Sequence, residues 1–272
     1  VAIYQDIPKE GVKWWDGKFH NPSTSLNKIS ICTTCMGRAE DVKVTLTKNM
    51  LDNEDYPNAE FVLLNYNSKD DLDKWVRTDS LMQQAMTDGR LLYLHTTEPR
   101  YFNFSHSKNV AFRAASGSVV TNVDADNFIN KGFVSFLNKC ANECPEMMLS
   151  RRVTRLYGRV GFHKKDFIDI LGGYDENMSG YGYEERDLVN RANHLGFITM
   201  HYDARFCDRR MLDHGTNRKP DASNLEFTAA RTEHNNIKLS CWNMKKGIFK
   251  ANVGKPWGRA KLTVNFEKEI EL

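Results

Sequence analysis

Val119-Val120-Thr121-Asn122-Val123-Asp124-Ala125-Asp126 is the stretch on which the fold turns. Five residues rich in β-branched side chains read as a strand, and the run passes straight into two carboxylates. On extended backbone, side chains two apart point the same way, so Asp124 and Asp126 can share one cation. Hard divalent metals take such oxygen ligands. A D-x-D also occurs in ordinary turns, so its meaning depends on where the strand lies.

The segments upstream supply that context. Ile29-Ser30-Ile31-Cys32-Thr33 reads as a strand, and Val42, Leu46 and Met50 recur at helical spacing on one face. Phe61-Val62-Leu63-Leu64 follows as a second strand. Ser68-Lys69-Asp70-Asp71 fits a capping box opening a helix through Trp75 and Val76, which continues over residues 81–86. Residues 91–94 read as a third strand and 107–115 as a helix ended by Gly117. With 119–123, four strands alternate with helices, which predicts an α/β fold: a mostly parallel central sheet flanked by helices. Ligands of such sheets bind outside the carboxyl ends of the strands. That rule puts residues 33–38, 65–68 and 124–126 on one rim, where a D-x-D can meet a metal–diphosphate.

Downstream, the pattern is more mixed. Helices are expected at 133–142, 165–171 and 184–195, the last with Leu188, Val189, Ala192 and Leu195 facing inward, and strands at 159–162 and 197–200. Residues 207–221 form a polar, Arg-rich stretch read as a long functional loop. A helix over 225–239 and Trp242 and Trp257 mark the tail. The chain therefore divides into an N-terminal extension (1–27), a first half (28–127), a second half (128–219) and a C-terminal helix and tail (220–272), together one two-part domain.

Composition narrows the class. In 272 residues, 40% are hydrophobic and 11% aromatic, enough for a core and against intrinsic disorder. Lys and Arg number 38 against 35 Asp and Glu, and a net charge of +3 is no basic field for nucleic acid. No apolar run approaches the roughly 20 residues of a membrane-spanning helix, so no integral membrane segment is expected. The chain starts at Val1 with no signal pattern. A cytoplasmic or membrane-peripheral location is expected, with a lumenal fragment of an anchored enzyme left open. Six Cys are too sparse for a disulfide scaffold, and Cys32/Cys35 has no second pair at zinc spacing, so buried or free thiols are expected. There is no P-loop, no G-x-G-x-x-G after the first strand and no H-E-x-x-H, and only Gly37 lies within residues 33–38.

A second constellation runs Gly172-Gly173-Tyr174-Asp175-Glu176 and then Gly180-Tyr181-Gly182-Tyr183-Glu184-Glu185-Arg186-Asp187-Leu188. Its acids open a helix, where the macrodipole favours the ionised form and suits a proton acceptor near neutral pH. Plain charge complementation of a helix start explains the same pattern. Tyr181 and Tyr183 are placed to stack on a sugar or to serve as core aromatics.

In order and spacing, the run Ile29 to Arg38, the stretch Asn109-Val110-Ala111, the Asp124/Asp126 strand and the Gly172-to-Leu188 constellation resemble GT-A fold glycosyltransferases. The match is to the family 2 type, with a second half similar to galactosyltransferase catalytic domains, over about residues 28–214. The resemblance implies transfer of a sugar from a nucleotide-sugar donor, expected to be a UDP-sugar, to a carbohydrate or glycoconjugate hydroxyl. It further implies inversion and a divalent cation, and makes 28–127 the nucleotide-sugar-binding half and 128–219 the catalytic and acceptor half of one catalytic domain. It puts Thr33, Thr34, Arg38, Asn65 and Asn67 at the nucleotide, Lys108 and Asn109 near the donor's phosphates or sugar, and Asp124, Ala125 and Asp126 in the metal motif. Glu185 matches the catalytic base, usually Asp. Glu184 and Asp187 match its acidic neighbours, which commonly hold acceptor hydroxyls or shape the site, with Tyr181 and Tyr183 beside them on the acceptor side. Asn65-Tyr66-Asn67 stands where an acidic residue is common. A His beyond the base helix completes the metal shell in related enzymes; His214 is preferred over His201, and imidazole would favour Mn²⁺ over Mg²⁺. Arg209, Arg210, Arg218 and Lys219 either close over the diphosphate or form a solvated basic surface. The rival reading is a non-catalytic carbohydrate-binding or scaffold domain of the same fold. Oligomeric state is left open.

Overall fold

The computed structural model describes residues 12–150, 158–202, 204–206 and 226–272. A short edge strand, β1 (Lys13–Trp14), precedes the parallel centre: β2 (Ile29–Cys35), β3 (Ala59–Tyr66), β4 (Leu91–Thr96) and β5 (Val119–Asn122). Every residue of β2, β3 and β5 is buried, as expected of strands covered on both faces. The connections are α1 (Ala39–Asp52), α2 (Leu72–Thr78) with α3 (Ser80–Thr87), and α4 (Phe104–Ala114).

Alternation along the strands builds two cores. Ile29, Ile31, Phe61 and Leu63 pack under Val42, Leu46, Leu72 and Met82, whereas Cys32, Val62 and Leu64 face Val110 and Phe112 of α4. The second face continues into the later helices, where Phe167, Leu188 and Val189 join that cluster.

Strand order sets the site. β2 pairs in parallel with β3 on one side and with β5 on the other. The chain leaves β2 for β3 and β4, then returns to β2's opposite side, so a topological switch point lies at the carboxyl ends of β2 and β5. The D-x-D follows β5 at that crevice.

The second half completes one sheet of ten strands among the described residues. After α5 (Phe133–Glu143) come β6 (Met147–Ser150), β7 (Gly161–His163), α6 (Lys164–Asp169), α7 (Glu184–His194) and β8 (Ile198–His201). β7 runs antiparallel to β5, while β8 and β6 are parallel to each other. The tail holds α8 (Ala229–Lys245) and a hairpin of β9 (Lys261–Val264) and β10 (Lys268–Glu271), and β9 extends the sheet beyond β4.

Several boundaries differ from expectation for local reasons. The helix expected through residues 68–86 is two, broken at Asp79, whose extended backbone lets its carboxylate cap the amides of Leu81 and Met82. Asp71, the N-cap of α2, caps no helix amide and pairs with Lys43 of α1 (2.7 Å); Asp70 accepts from the Leu72 amide, and Ser68 and Asp70 also hold the amides of Gly37 and Ala39 across the rim. Gly117 caps nothing: α4 ends at Ala114, and a Cβ on Gly117 would lie 2.5 Å from Ser30 Oγ, so close packing requires the glycine. Leu195 is 42% exposed rather than inward. β6, β9 and β10 were not anticipated.

Among the described residues, no helix is long and apolar enough to cross a membrane. Cys32, Cys35, Cys140 and Cys144 are buried free thiols, and burial pushes Cys35 up to about 12, well removed from thiolate chemistry.

Candidate active site

The rim begins with a strand-to-strand tie. Thr33 Oγ1 donates to the carbonyl of Val123 (2.9 Å), fixing the backbone that leads into Asp124. Asn122, on the same side of the extended segment, then organises three groups through Nδ2. It donates to Asp124 Oδ1 at 2.8 Å, to the Gly158 carbonyl at 3.0 Å and to Glu185 Oε1 at 3.3 Å. Gly158 adopts φ +63° and lies so close to Asp124 that a Cβ there would be 1.9 Å from Oδ2. Asp126 Oδ2 is 3.3 Å from Arg38 Nη2, and Arg38 also pairs through Nε with Asp41 of α1. Asp124 remains 40% exposed at its side chain, open to a ligand.

Opposite stands the start of α7. Tyr183, its N-cap, is held at φ +73°, an outlying conformation for a bulky residue, and projects the next two side chains toward Asp124. Lys108 of α4 reaches between them. Its Nζ donates to Glu184 Oε1 at 2.9 Å and Glu185 Oε1 at 2.8 Å and lies 4.0 Å from Asp124 Oδ1, in a fully buried position. Burial by itself would push the Lys108 ammonium down, but Glu184, Glu185 and Asp124 together hold it well above its usual range. Glu185 is pushed up to about 7: burial is the main cause, the Asp124 and Glu184 carboxylates add to it, and Lys108 opposes them. The helix start was expected to favour the ionised form; burial and two neighbouring carboxylates outweigh that preference.

Other predicted residues lie behind the rim. Asp187 is wholly buried and pairs with Arg191 Nε one turn on (2.8 Å). Arg191 in turn donates to the carbonyls of Leu171 and Gly173, clamping the Gly172-Gly173 turn. Asn109, also wholly buried, accepts from the amide of Tyr174 and donates to its carbonyl and to Glu176. The structure therefore sets Asp187 and Asn109 in the layer that shapes the acidic loop, behind the open rim: of the two roles expected for Asp187, its contacts are those of site shaping, and Asn109 makes its side-chain bonds to Tyr174 and Glu176. Both glycines of that turn are closely packed, with a Cβ position 2.2 Å from the Ala251 carbonyl oxygen at Gly172 and 2.6 Å from the Trp257 ring at Gly173.

Thr34 is buried and receives a bond from Ser107 Oγ (3.4 Å), and Asn65 is spent on Tyr93 and the amide of Ser68. Asn67, at φ +60°, bonds the Pro99 carbonyl and Lys69. Ala125 gives its carbonyl to Thr45 Oγ1. Tyr181 is 37% exposed, edge-on to Phe104 at 5.4 Å, and Tyr183 lies 5.9 Å beneath Arg186. His201 ends β8 against Trp15 at 5.3 Å. His214, Arg209, Arg210, Arg218 and Lys219 lie outside the described residues.

The hard oxygen donors at the rim are Asp124 and Asp126. Among the described residues no group of three or more His, Cys, Asp or Glu is arranged to hold a metal. Two partly exposed carboxylates fit a Mg²⁺-like or Mn²⁺-like ion that takes its remaining ligands from phosphates and water. They do not form a closed protein cage.

Residue-level reading missed Asn122, Gly158 and the partners of Lys108. Asn122 carried a signal: it shares the parity of Asp124 and Asp126 and is a polar side chain inside a buried strand.

A family model for Glycosyl transferase family 2 matches residues 30–208. No curated protein sequence is significantly similar to the chain. Among solved structures, one similar to it is the mannosyltransferase PcManGT from Pyrobaculum calidifontis in complex with GDP-Man and Mn²⁺ (20% identity, 73% of this chain and 62% of that one, TM-score 0.54). Another is S. aureus TarS 1–349 in complex with UDP-GlcNAc (14% identity, 80% and 66%, TM-score 0.56). A third is glucosyl-3-phosphoglycerate synthase from Mycobacterium tuberculosis in complex with UDP (12% identity, 96% and 95%, TM-score 0.54). The chain thus spans less than two thirds of the mannosyltransferase. At such identities these likenesses speak for the fold, the GT-A arrangement of a mostly parallel sheet flanked by helices. The match over residues 30–208, which holds both the D-x-D and the acidic helix start, shows that the chain belongs to glycosyl transferase family 2.

Proposed function

We propose that the protein is an inverting, divalent-metal-dependent glycosyltransferase that moves a hexose from a nucleotide-sugar to a carbohydrate or glycoconjugate hydroxyl. The observation that carries this is the convergence of Glu185, Lys108 and Asp124 at the β2/β5 switch point, joined by Asn122. A proton-accepting carboxylate and a metal-type carboxylate then face one crevice from opposite sides.

Glu185 accepts the proton of the acceptor hydroxyl. The acceptor oxygen forms its bond to the anomeric carbon as the bond from that carbon to the diphosphate oxygen breaks, and attack opposite the leaving group inverts configuration. Glu185 is suited to this because its pKa near 7 matches the operating range. Lys108 positions the Glu185 side chain and limits how far burial raises it. Asp124 and Asp126 would hold the cation, Mn²⁺ or Mg²⁺, which when bound supplies positive charge beside the departing diphosphate. Asn122 and Gly158 fix the direction of Asp124, and Arg38 that of Asp126. Tyr181, with Glu184 behind it, borders the acceptor side; the galactosyltransferase-like character of residues 172–188 belongs to the same reading. Because TarS and the mycobacterial synthase were solved with UDP-GlcNAc and UDP, UDP-sugars are the first donors to try.

The test is a panel of nucleotide-sugars with Mn²⁺, read by released nucleotide. Turnover is expected to stop in EDTA and return with Mn²⁺, and Glu185→Gln is expected to bind donor without turning over. Metal-independent turnover, or a product retaining the anomeric configuration, contradicts the proposal.

A further inference from the structure

A cleft of about 370 Å³ lies between the segment preceding α4, the Ser179-Gly180 turn and the start of α8. Its size is at the lower end of small-molecule sites. The floor is rigid: Tyr66 OH and His106 Nδ1 are 2.7 Å apart, and His106 Nε2 is 2.9 Å from the Arg259 carbonyl. The walls pair apolar rings, among them Tyr101, Phe102 and the 40% exposed Phe227, with the charged side chains of Glu98, Arg100 and Glu226. The Arg100 guanidinium lies 5.2 Å over the Tyr101 ring.

That mixture has a chemical direction. Aromatic faces accept the C–H face of a sugar ring, while carboxylates and a guanidinium take its hydroxyls as donors and acceptors. With the Arg231 guanidinium 4.7 Å over the Phe227 ring, two guanidiniums balance two carboxylates among the described residues, so the walls carry no net positive field to draw a phosphate or a second nucleotide. A neutral carbohydrate is the occupant these groups fit.

A run of ring contacts links the cleft wall to the reacting site. Phe102 meets Phe104 at 4.6 Å, Phe104 meets Tyr181 at 5.4 Å, and Lys108 Nζ lies 5.6 Å over the Phe104 ring while holding Glu185. Gly180, which lines the cleft at φ +58°, has no room for a side chain: a Cβ there would lie 2.8 Å from Thr232 Cγ2 of α8. Thr232 Oγ1 also exchanges bonds with the amide and carbonyl of Tyr181. The wall shared by cleft and base loop is therefore fastened on both sides.

We propose that this cleft is a second carbohydrate subsite, holding the unit of a neutral oligosaccharide acceptor next to the one whose hydroxyl reacts. The proposal rests on the glycosyltransferase reading above. It deepens that reading by naming the acceptor class as an oligosaccharide rather than a single sugar or a phosphorylated one.

The test measures binding of neutral mono- to tetrasaccharides of glucose, galactose, mannose and N-acetylglucosamine to the full chain by saturation-transfer NMR. Wild type, Phe227→Ala and Tyr101→Ala are compared, and donor hydrolysis with Mn²⁺ is followed in parallel. At least one series is expected to bind more tightly from one to two or three units. Loss of one stacking ring should weaken the longer ligand by about 3- to 10-fold and leave the monosaccharide and donor hydrolysis unchanged. Affinity independent of length, equal weakening for all lengths, or a preference for phosphorylated sugars overturns the subsite. Absence of donor hydrolysis in the wild type would instead strike the glycosyltransferase reading, while oligosaccharide binding still reports on the cleft.

Discussion

Replacing Lys108 by Met removes a buried charge from beside the proposed base at nearly constant volume. At 2.8 Å and an effective dielectric near 20, the gross Lys108–Glu185 attraction is about 6 kcal/mol. Part of it is recovered, because Glu185 retains the Asn122 donor at 3.3 Å and is 14% exposed to water. Removal of one close opposite charge accordingly raises a carboxyl by about 1–3 pH units, or about 1.4–4 kcal/mol at 1.36 kcal/mol per unit. Starting from about 7, where half the base is ionised at neutral pH, the ionised fraction at pH 7 falls to between about one tenth and one thousandth. The rate at pH 7 should drop about 5- to 500-fold and recover on the alkaline side.

The assay is kcat/KM for donor turnover from pH 5.5 to 9.5, since that quantity follows the free enzyme's base. Lys108→Arg keeps the charge and should hold the acid limb near its original place. Near-UV circular dichroism at pH 6, where the freed carboxylates can take up a proton, checks that the Met variant is folded. A folded Lys108→Met with an unmoved acid limb would refute the role of Lys108, and with it the assignment of Glu185 as the titrating base.

Two further outcomes follow from the same geometry. Glu185 has its pKa raised above the unfolded value of 4.5, so its contribution to stability is fully present below about 4.5 and is lost as pH rises through about 7. Glu185→Gln should therefore stabilise the fold at pH 8, by up to about 3 kcal/mol, and have little effect at pH 4, measured by urea unfolding at both values; equal effects at the two pH values would contradict this. Gly158→Ala puts a methyl group where Asp124 Oδ2 lies and strains a φ of +63°, so Mn²⁺ affinity in the presence of UDP should fall about 10- to 100-fold by calorimetry. Unchanged Mn²⁺ affinity in a folded variant would remove Asp124 from the metal assignment.

The central sheet was legible because its strands obey one rule each: β2, β3 and β5 are short apolar runs separated by helical spacing. β6 escaped because Met147-Met148-Leu149-Ser150 is four residues with no alternation, and it is defined by its pairing with β7 and β8 rather than by its own pattern. The three acids at the start of α7 show a similar limit. Sequence groups Glu184, Glu185 and Asp187 together, but α-helical geometry separates them, and Asp187 turns to Arg191 four residues on. Lys108 and Glu185 are 77 residues apart, and nothing in either segment announces the other. The direction of Asn109 is hidden for the same reason: its neighbour Lys108 faces the crevice, while one residue later the helix has turned by about 100° toward Tyr174.

Charge at the rim gives the proposed metal dependence a physical basis in this chain. Asp124, Asp126, Glu184 and Glu185 contribute four carboxylates there, and a donor diphosphate would bring more negative charge to the same crevice. Lys108 is engaged by Glu184 and Glu185 at 2.9 and 2.8 Å, and Arg38 is engaged by Asp41 and Asp126. Neither cation can turn to phosphate without leaving a carboxylate uncompensated, and for the buried Lys108 that would cost several kcal/mol. Among the described residues no cation at the rim is free of these carboxylates for a diphosphate, and in the proposed mechanism the partly exposed Asp124 and Asp126 would hold the ion that supplies that charge. The near balance of 38 basic and 35 acidic residues thus conceals an acidic crevice whose own cations are committed to holding the base and the metal motif in place.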